Sequence, residues 1–521
     1  MRRTLALLLP WVLLVLVVPS SATFAQPPAA PPKAEAKSDK PDDKPKKLEE
    51  KSSTTRHSIT LGGQKIAYTA VAGTMVLKDD EGKDKASVFY VAYTKDGVKD
   101  PAERPVTYCF NGGPGAASIW VNFGAFGPKR VERDPEGMTL APPGRLVDND
   151  LSILDLTDLV FIDPVSTGYS RPAPGEDRKQ FHGVNEDVAT VGEVIRLWTT
   201  RNQRWASPKL LAGESYGTTR AAGLALFLDQ RFGMTVNGVI LISSVLNWQN
   251  QEFNVGNDMP YVIHLPSYTA TAWYHKKLPA DLAGDLQKAV AESESYARNE
   301  YANALMQGDR LSPERTRAVA EKVALLTGLS LDYVLRSNLR IELFRFLKEL
   351  LRAEGKTVGR LDSRFTGWDL DSAGENPEFD PSLSAIDASY ASLANDYYRR
   401  TLGFESDVVY ERLSRLVRPW SYADYANRYL NMAETLREAM TRNPHLKVLA
   451  QSGYYDFATP YFDSVYTLDH LGLPAALRGN VRFELYESGH MMYIRRADHE
   501  KLRKDVADFI LWAAGGSAGG R

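Results

Sequence analysis

Four short stretches carry the residue types that could do chemistry together. In the first, an apolar run from Leu210 ends in Gly213-Glu214-Ser215-Tyr216-Gly217 and leads straight into a helix-like segment at 218–232. A sharp strand-to-helix turn lifts a serine hydroxyl clear of a sheet edge, and small flanking residues are what so crowded a turn needs. Ser215 is the expected nucleophile, with the positive end of the following helix aimed at the reacting centre. The second stretch, Asn111-Gly112-Gly113-Pro114-Gly115, ends an apolar run and offers backbone N–H groups, unobstructed by side chains, to a developing oxyanion. A phosphate-binding loop is the competing use of such glycines, but no Gly-Lys-Ser/Thr follows. The third and fourth, Gly453-Tyr454-Tyr455-Asp456 and Ser488-Gly489-His490-Met491, place an acid and a base after strand-like runs. His490 would take the Ser215 proton and return it to the leaving group, while Asp456 fixes the imidazole tautomer and stabilises its cation. His470, His499, Asp463 and Asp469 are expected to be surface charge.

For these groups to meet, their strands must end along one edge of a sheet. Residues 106–110, 158–163, 210–214, 236–245, 446–453 and 481–486 are apolar runs of strand length, and 185–200 and 497–514 have helical spacing. Continuous rather than alternating apolar runs fit strands buried on both faces, so the expected class is α/β, a mostly parallel sheet with helices on both faces. The order Ser215, Asp456, His490 is that of nucleophile, acid and histidine in α/β-hydrolases. The first part of that core is expected at 55–246 and the second at 445–514. Between them, 247–444 is helical, charged and aromatic, too long for coil, and is expected as a helical cap insertion over the site. The aromatic runs at 260–268 and 273–275 within it are expected as cap packing more than as pocket wall.

The ends of the chain suggest export. Arg2 and Arg3 precede an apolar run at 5–18 and small residues at 20–25, which reads as a secretory signal peptide over 1–25. Residues 26–54 are mostly Pro, Ala, Lys and Asp and cannot bury enough surface to fold, so a flexible linker is expected there. A polar Gly- and Ser-rich tail is expected at 515–521. Cys109 is the one cysteine, in an apolar run, and no intrachain disulfide can form. Export without disulfides suits a bacterial periplasmic or extracellular enzyme. A net charge of -2 gives no hint of a nucleic-acid partner, and no stable membrane insertion is expected once the signal is cut.

Taken together, the four blocks and Asp163-Pro164-Val165-Ser166-Thr167-Gly168-Tyr169-Ser170 resemble the serine carboxypeptidase family. The resemblance implies an exopeptidase acting on peptides with a free C-terminus through an acyl-enzyme, without metal or cofactor. It implies an oxyanion hole from the backbone of Gly113 and Tyr216, and recognition of the substrate carboxylate by Asn111, Gly112 and Glu214. A glutamate binds a carboxylate only if one of the two is protonated, since paired anions repel. Two positions depart from the family pattern. Ala116 stands where members often have a disulfide cysteine, and Ala125 where many have a second acid that partners the one beside the nucleophile. A milder pH optimum than the family's acidic one is the expectation. An esterase or acyltransferase on the same scaffold, or an inactive peptide-binding homologue, are the alternatives. Both a monomer and a homodimer fit the sequence.

Overall fold

A computed structural model describes residues 47–138 and 141–515. The expected signal peptide, most of the linker and all but the first residue of the tail lie outside them. Nine strands follow one another across the main sheet in the order Ser52–Leu61, Gln64–Lys78, Asp84–Lys95, Asp158–Ile162, Val106–Phe110, Lys209–Glu214, Gly238–Ile242, Lys447–Gly453 and Val481–Tyr486, and a short tenth, Arg171–Pro172, pairs with Asp84–Lys95. The first three pair antiparallel, and Asp84–Lys95 pairs antiparallel with Asp158–Ile162. From there to the far edge every pairing is parallel.

The parallel strands are apolar throughout because both faces are covered. On one face, Tyr108, Leu211 and Leu241 join a core with Val188, Val191, Ile195 and Trp198 of helix Val184–Arg201 and Leu224 and Leu228 of helix Tyr216–Phe232. On the other, Cys109, Leu210, Ala212, Ile240 and Ile242 pack with Leu502, Val506, Phe509 and Ile510 of helix Arg496–Ala513. Each large apolar side chain so buried contributes about 1.5–3 kcal/mol. Cys109 is fully buried, and that burial holds its thiol well above the usual pKa.

The first strand begins at Ser52, inside the stretch whose composition reads as linker. Its residues alternate between exposed and partly buried, the pattern of an edge strand, so it lacks the apolar signature of a buried one.

The 247–444 stretch does not pack as one body. Helices Met259–Tyr274, Leu286–Tyr296, Pro313–Thr327 and Leu343–Glu349 share a core of their own with Tyr454, Tyr455, Phe457 and Tyr461, the neighbours of Asp456. In that core Tyr268 stacks on Phe346 at 4.0 Å between ring centroids, so the aromatic run is packing. Helix Pro381–Asp396 instead adds Ile386 and Tyr390 to the core of the main sheet, and Met432–Arg442 lies against helix Tyr216–Phe232. Within 278–306 the chain does not run as one helix, because the Asp285 carboxylate accepts from Gln287 and Lys288 N–H and starts a new helix there. Among the described residues no helix is long and apolar enough to cross a membrane.

Candidate active site

Ser215 sits between strand Lys209–Glu214 and helix Tyr216–Phe232 with φ 60° and ψ −130°, a conformation that costs a non-glycine residue about 1–3 kcal/mol. Surrounding contacts hold it there. Its N–H donates to Ile242 O at 2.9 Å, and Thr218 N and Oγ1 both donate to its carbonyl. A Cβ at Gly213 would lie 2.1 Å from Gly217 O, which is why the elbow needs glycine at that point. Behind it, fully buried Arg220 donates to Asp187 at 2.7 Å and to Asn111 O at 2.7 Å. That ion pair ties the elbow helix both to helix Val184–Arg201 and to the glycine-rich loop, a role no local motif announces.

Asp456 and His490 reach the same region from the ends of strands Lys447–Gly453 and Val481–Tyr486, beyond Gly238–Ile242. The His490 ring is 2.8 Å, Nδ1 to Oδ2, from the wholly buried Asp456. Asp456 is itself fixed, accepting from Ala458 N–H and Thr459 N–H at Oδ1 and from Thr459 Oγ1 at Oδ2. The main chain of His490 is held as well, its N–H donating to Leu361 O at 2.6 Å and its carbonyl accepting from the Ser243 hydroxyl at 2.7 Å. Burial works against the imidazolium, yet the charge and hydrogen bond of Asp456, with Glu214 behind them, outweigh it and hold His490 above its ordinary pKa of 6.5. A base tuned this way takes a proton more readily than a free imidazole.

Two cavities meet at Ser215. One, of about 200 Å³, is bordered by Asn111, Gly112, Glu214, Ser215 and His490. The other, of about 220 Å³, is bordered by Gly113, Ser215 and Tyr216 together with Trp248, Phe253 and Phe344. The residues expected to bind a carboxylate thus border the first cavity together with Ser215. Of those expected to cradle an oxyanion, Tyr216 borders the second cavity and Gly113 borders both. Tyr216 opens its helix, where the first N–H groups have no intrahelical partner. Gly112 packs so closely on that turn that a Cβ would fall 2.4 Å from Tyr216 N.

Glu214 is buried beside Ser215. Asn111 Nδ2 donates to its Oε1 at 2.8 Å, and Asn111 Oδ1 accepts from Val121 N–H, which fixes the amide's orientation. The Tyr493 hydroxyl donates to Oε2 at 2.6 Å. Burial raises the carboxyl pKa to about 7, against the lowering effect of His490 and of these two donors. Tyr493 answers the question left by Ala125. Its ring lies against the 121–126 turn so tightly that a Cβ on Gly124 would be 2.2 Å from it, and a phenol stands where Glu214 needs a partner. Position 125 serves through its backbone, its carbonyl accepting from Asn149 Nδ2 and His499 Nε2.

Two residues expected at the surface are buried. Asp463 accepts from Asn250 at 2.6 Å and Gln251 at 2.7 Å, and burial lifts its pKa to about 6. His499 is pushed down to about 4 by burial under the 121–126 turn. Both follow core-facing helical positions, which their charge masked. Asp469 and His470 are exposed, as expected.

Comparison with known proteins agrees with this geometry. The profile of the serine carboxypeptidase family matches residues 64–499. Serine carboxypeptidase-like 5 of Arabidopsis thaliana is 27% identical over 144 residues, covering 26% of this chain and 30% of its own. A carboxypeptidase Y homolog A from Phaeosphaeria nodorum is 33% identical over 143 residues, covering 26% and 23%. The chain thus spans less than a third of the length of either curated relative. Kex1(delta)p, a prohormone-processing carboxypeptidase from Saccharomyces cerevisiae, superposes with a TM-score of 0.52 at 15% identity over 85% of this chain and 91% of its own, a likeness of fold. The fold is that of the α/β-hydrolases, and the chain belongs to the serine carboxypeptidase family.

Proposed function

We propose that this protein removes C-terminal residues from peptides through an acyl-enzyme on Ser215. The observation that carries the reading is the buried Glu214 held by Asn111 beside the nucleophile, within the cavity that also borders His490. A site for esters has no use for a carboxyl there, whereas a protonated Glu214 donates a hydrogen bond to a terminal carboxylate. Ser215 Oγ attacks the scissile carbonyl as His490 takes its proton, and the oxyanion meets the N–H groups of Gly113 and Tyr216. The C–N bond breaks as His490 protonates the departing amine. Water, deprotonated by the same imidazole, then releases the acyl group and restores Ser215.

The pH dependence follows from two groups. His490 must be neutral to accept the proton, so activity rises as pH passes its elevated pKa. Glu214 must be protonated to bind a carboxylate, so activity on free acids falls as it ionises around 7. The two charges interact, and the apparent pKa values belong to the pair. We expect an N-blocked dipeptide to show a narrow optimum of kcat/KM near neutrality, and its C-terminal amide to be cleaved about 10²-fold less well or worse. Equal rates on acid and amide would move the reading to ester or acyl-transfer chemistry. An optimum below about pH 5 would contradict the role given to Glu214.

Export belongs to the same reading. Arg2, Arg3, the apolar run at 5–18 and the small residues before 26 support a cleaved secretory signal, and a single buried cysteine suits a bacterial periplasmic or extracellular enzyme. N-terminal sequencing of the protein from the cell envelope or medium is expected to begin close to residue 26. An intact Met1 on a cytoplasmic protein would exclude it.

A further inference from the structure

The loop after residue 358, which comes from the 247–444 stretch, touches both catalytic loops. Arg360 O accepts from Phe457 N–H at 3.0 Å, Leu361 O from His490 N–H at 2.6 Å, and Tyr455 O from Ser363 N–H at 2.9 Å. The Asp362 carboxylate accepts from Gly489 N–H at 3.1 Å. Three backbone bonds and the Asp362 carboxylate thus seat this segment, Arg360 included, beside the catalytic loops.

Arg360 borders both cavities that meet at Ser215. Its Nε is buried and has no hydrogen-bond partner, and among the described residues it forms no ion pair. The acids lining the same cavities are already engaged. Glu214 is held by Asn111 and Tyr493. Asp380 accepts from the backbone N–H groups of Arg360, Leu361 and Ser382. Glu342 caps its helix, accepting from Phe344 and Arg345 N–H. Neighbouring arginines differ from Arg360 in this respect, since Arg364 is paired with Asp362 and Arg412 with Asp387. An unmatched guanidinium N–H is costly to bury, and its natural partner is a planar anion that accepts two parallel bonds.

We propose that Arg360 binds a carboxylate of the substrate, and so helps select which peptides are cleaved. That carboxylate is either the side chain of an Asp or Glu flanking the scissile bond, which the position between both cavities allows it to reach, or the terminal carboxylate itself. The inference rests on the carboxypeptidase reading of the site.

The test compares wild type with Arg360→Gln and Arg360→Lys on N-blocked dipeptides carrying Glu or Gln at the retained or the released position, and on their C-terminal methyl esters. Labelling of Ser215 by a serine-directed phosphonate checks that each variant is folded and competent. If the side chain is read, Arg360→Gln lowers kcat/KM for the Glu substrate by about 10- to 100-fold, as expected for losing charge-assisted hydrogen bonds, and leaves its Gln counterpart within about twofold. If the terminus is read, every free-acid peptide loses activity by a similar factor and the esters are spared. Arg360→Lys retains the preference in part. Either pattern supports the proposal. Unchanged kinetics on every substrate, or an equal loss on Glu and Gln substrates and on acids and esters alike, overturns it. A wild type that hydrolyses the esters but no peptide would sink the carboxypeptidase reading alone, because the Glu and Gln esters still report on Arg360.

Discussion

Asparagine in place of Asp456 is expected to lower kcat about 10⁴-fold while leaving the protein folded. The hydrogen-bond pattern around the carboxylate makes the loss specific. Oδ1 accepts from two backbone N–H groups, Ala458 and Thr459, so the oxygen of an asparagine must stay on that side. Its NH₂ group then faces His490 Nδ1 and the Thr459 hydroxyl. An NH₂ donor there makes Nδ1 the acceptor and places the ring proton on Nε2, the nitrogen that has to receive the proton of Ser215. The imidazolium also loses the negative charge that stabilises it. Thr459 can turn its hydroxyl to suit, which is why folding is spared. Steady-state kinetics on an N-blocked dipeptide, with thermal melting as the control for folding, measure this. A loss below about tenfold would mean that Asp456 does not orient the base, and a melt lowered in proportion to the lost activity would make the effect structural.

The parts of this site that the sequence announces are those whose requirement is local. Gly213 and Ser215 are tied by one turn, and a continuous apolar run such as 210–212 reads as a two-face-buried strand because nothing but burial explains it. Chain order then supplies Asp456 and His490, each at a strand end. Tyr493 and Arg360 could not be found that way. An aromatic in Met491-Met492-Tyr493-Ile494 has the look of core, and only the approach of the 121–126 turn, some 370 residues earlier in the chain, turns its hydroxyl toward Glu214. Arg360 lies in a stretch with no periodicity, and its place at Ser215 depends on bonds to loops 97 and 130 residues away at Phe457 and His490. Asp463 shows the reverse error. Charge suggested the surface, whereas Asn250 and Gln251 supply enough donors to keep a buried carboxyl satisfied.

The same dependence explains why 247–444 did not behave as a separate cap. A composition that is helical and amphipathic says that a face must be covered, not which core covers it. Met432–Arg442 carries Leu436 and Met440 on its buried face and finds the elbow helix, while Leu343–Glu349 finds the cap core beside Phe457. Val358 packs in the cap core and Phe365 in a main-sheet core, so the loop bearing Arg360 is held by both.

Removal of the nucleophile sets the upper limit of these effects. Ser215→Ala is expected to lower kcat about 10⁶-fold, the scale found when a group that acts as part of a unit is deleted. Stability is expected to change little. Alanine meets the same strain at φ 60° that serine already bears, and the bonds that hold the turn, from Ser215 N to Ile242 and from Thr218 to Ser215 O, are made by backbone atoms of residue 215. Non-additivity is the sharper outcome. Once Oγ is gone, His490 has no proton to accept and Asp456 nothing to orient, so the double variant Ser215→Ala, Asp456→Asn should be no slower than Ser215→Ala alone. What catalysis remains would come from the Gly113 and Tyr216 N–H groups acting on attack by water. Single-turnover kinetics on an activated ester resolve the three variants. If the double variant is slower than Ser215→Ala by the full factor that Asp456→Asn costs, the three residues are not one catalytic unit, and the assignment of Ser215 as the nucleophile fails with it.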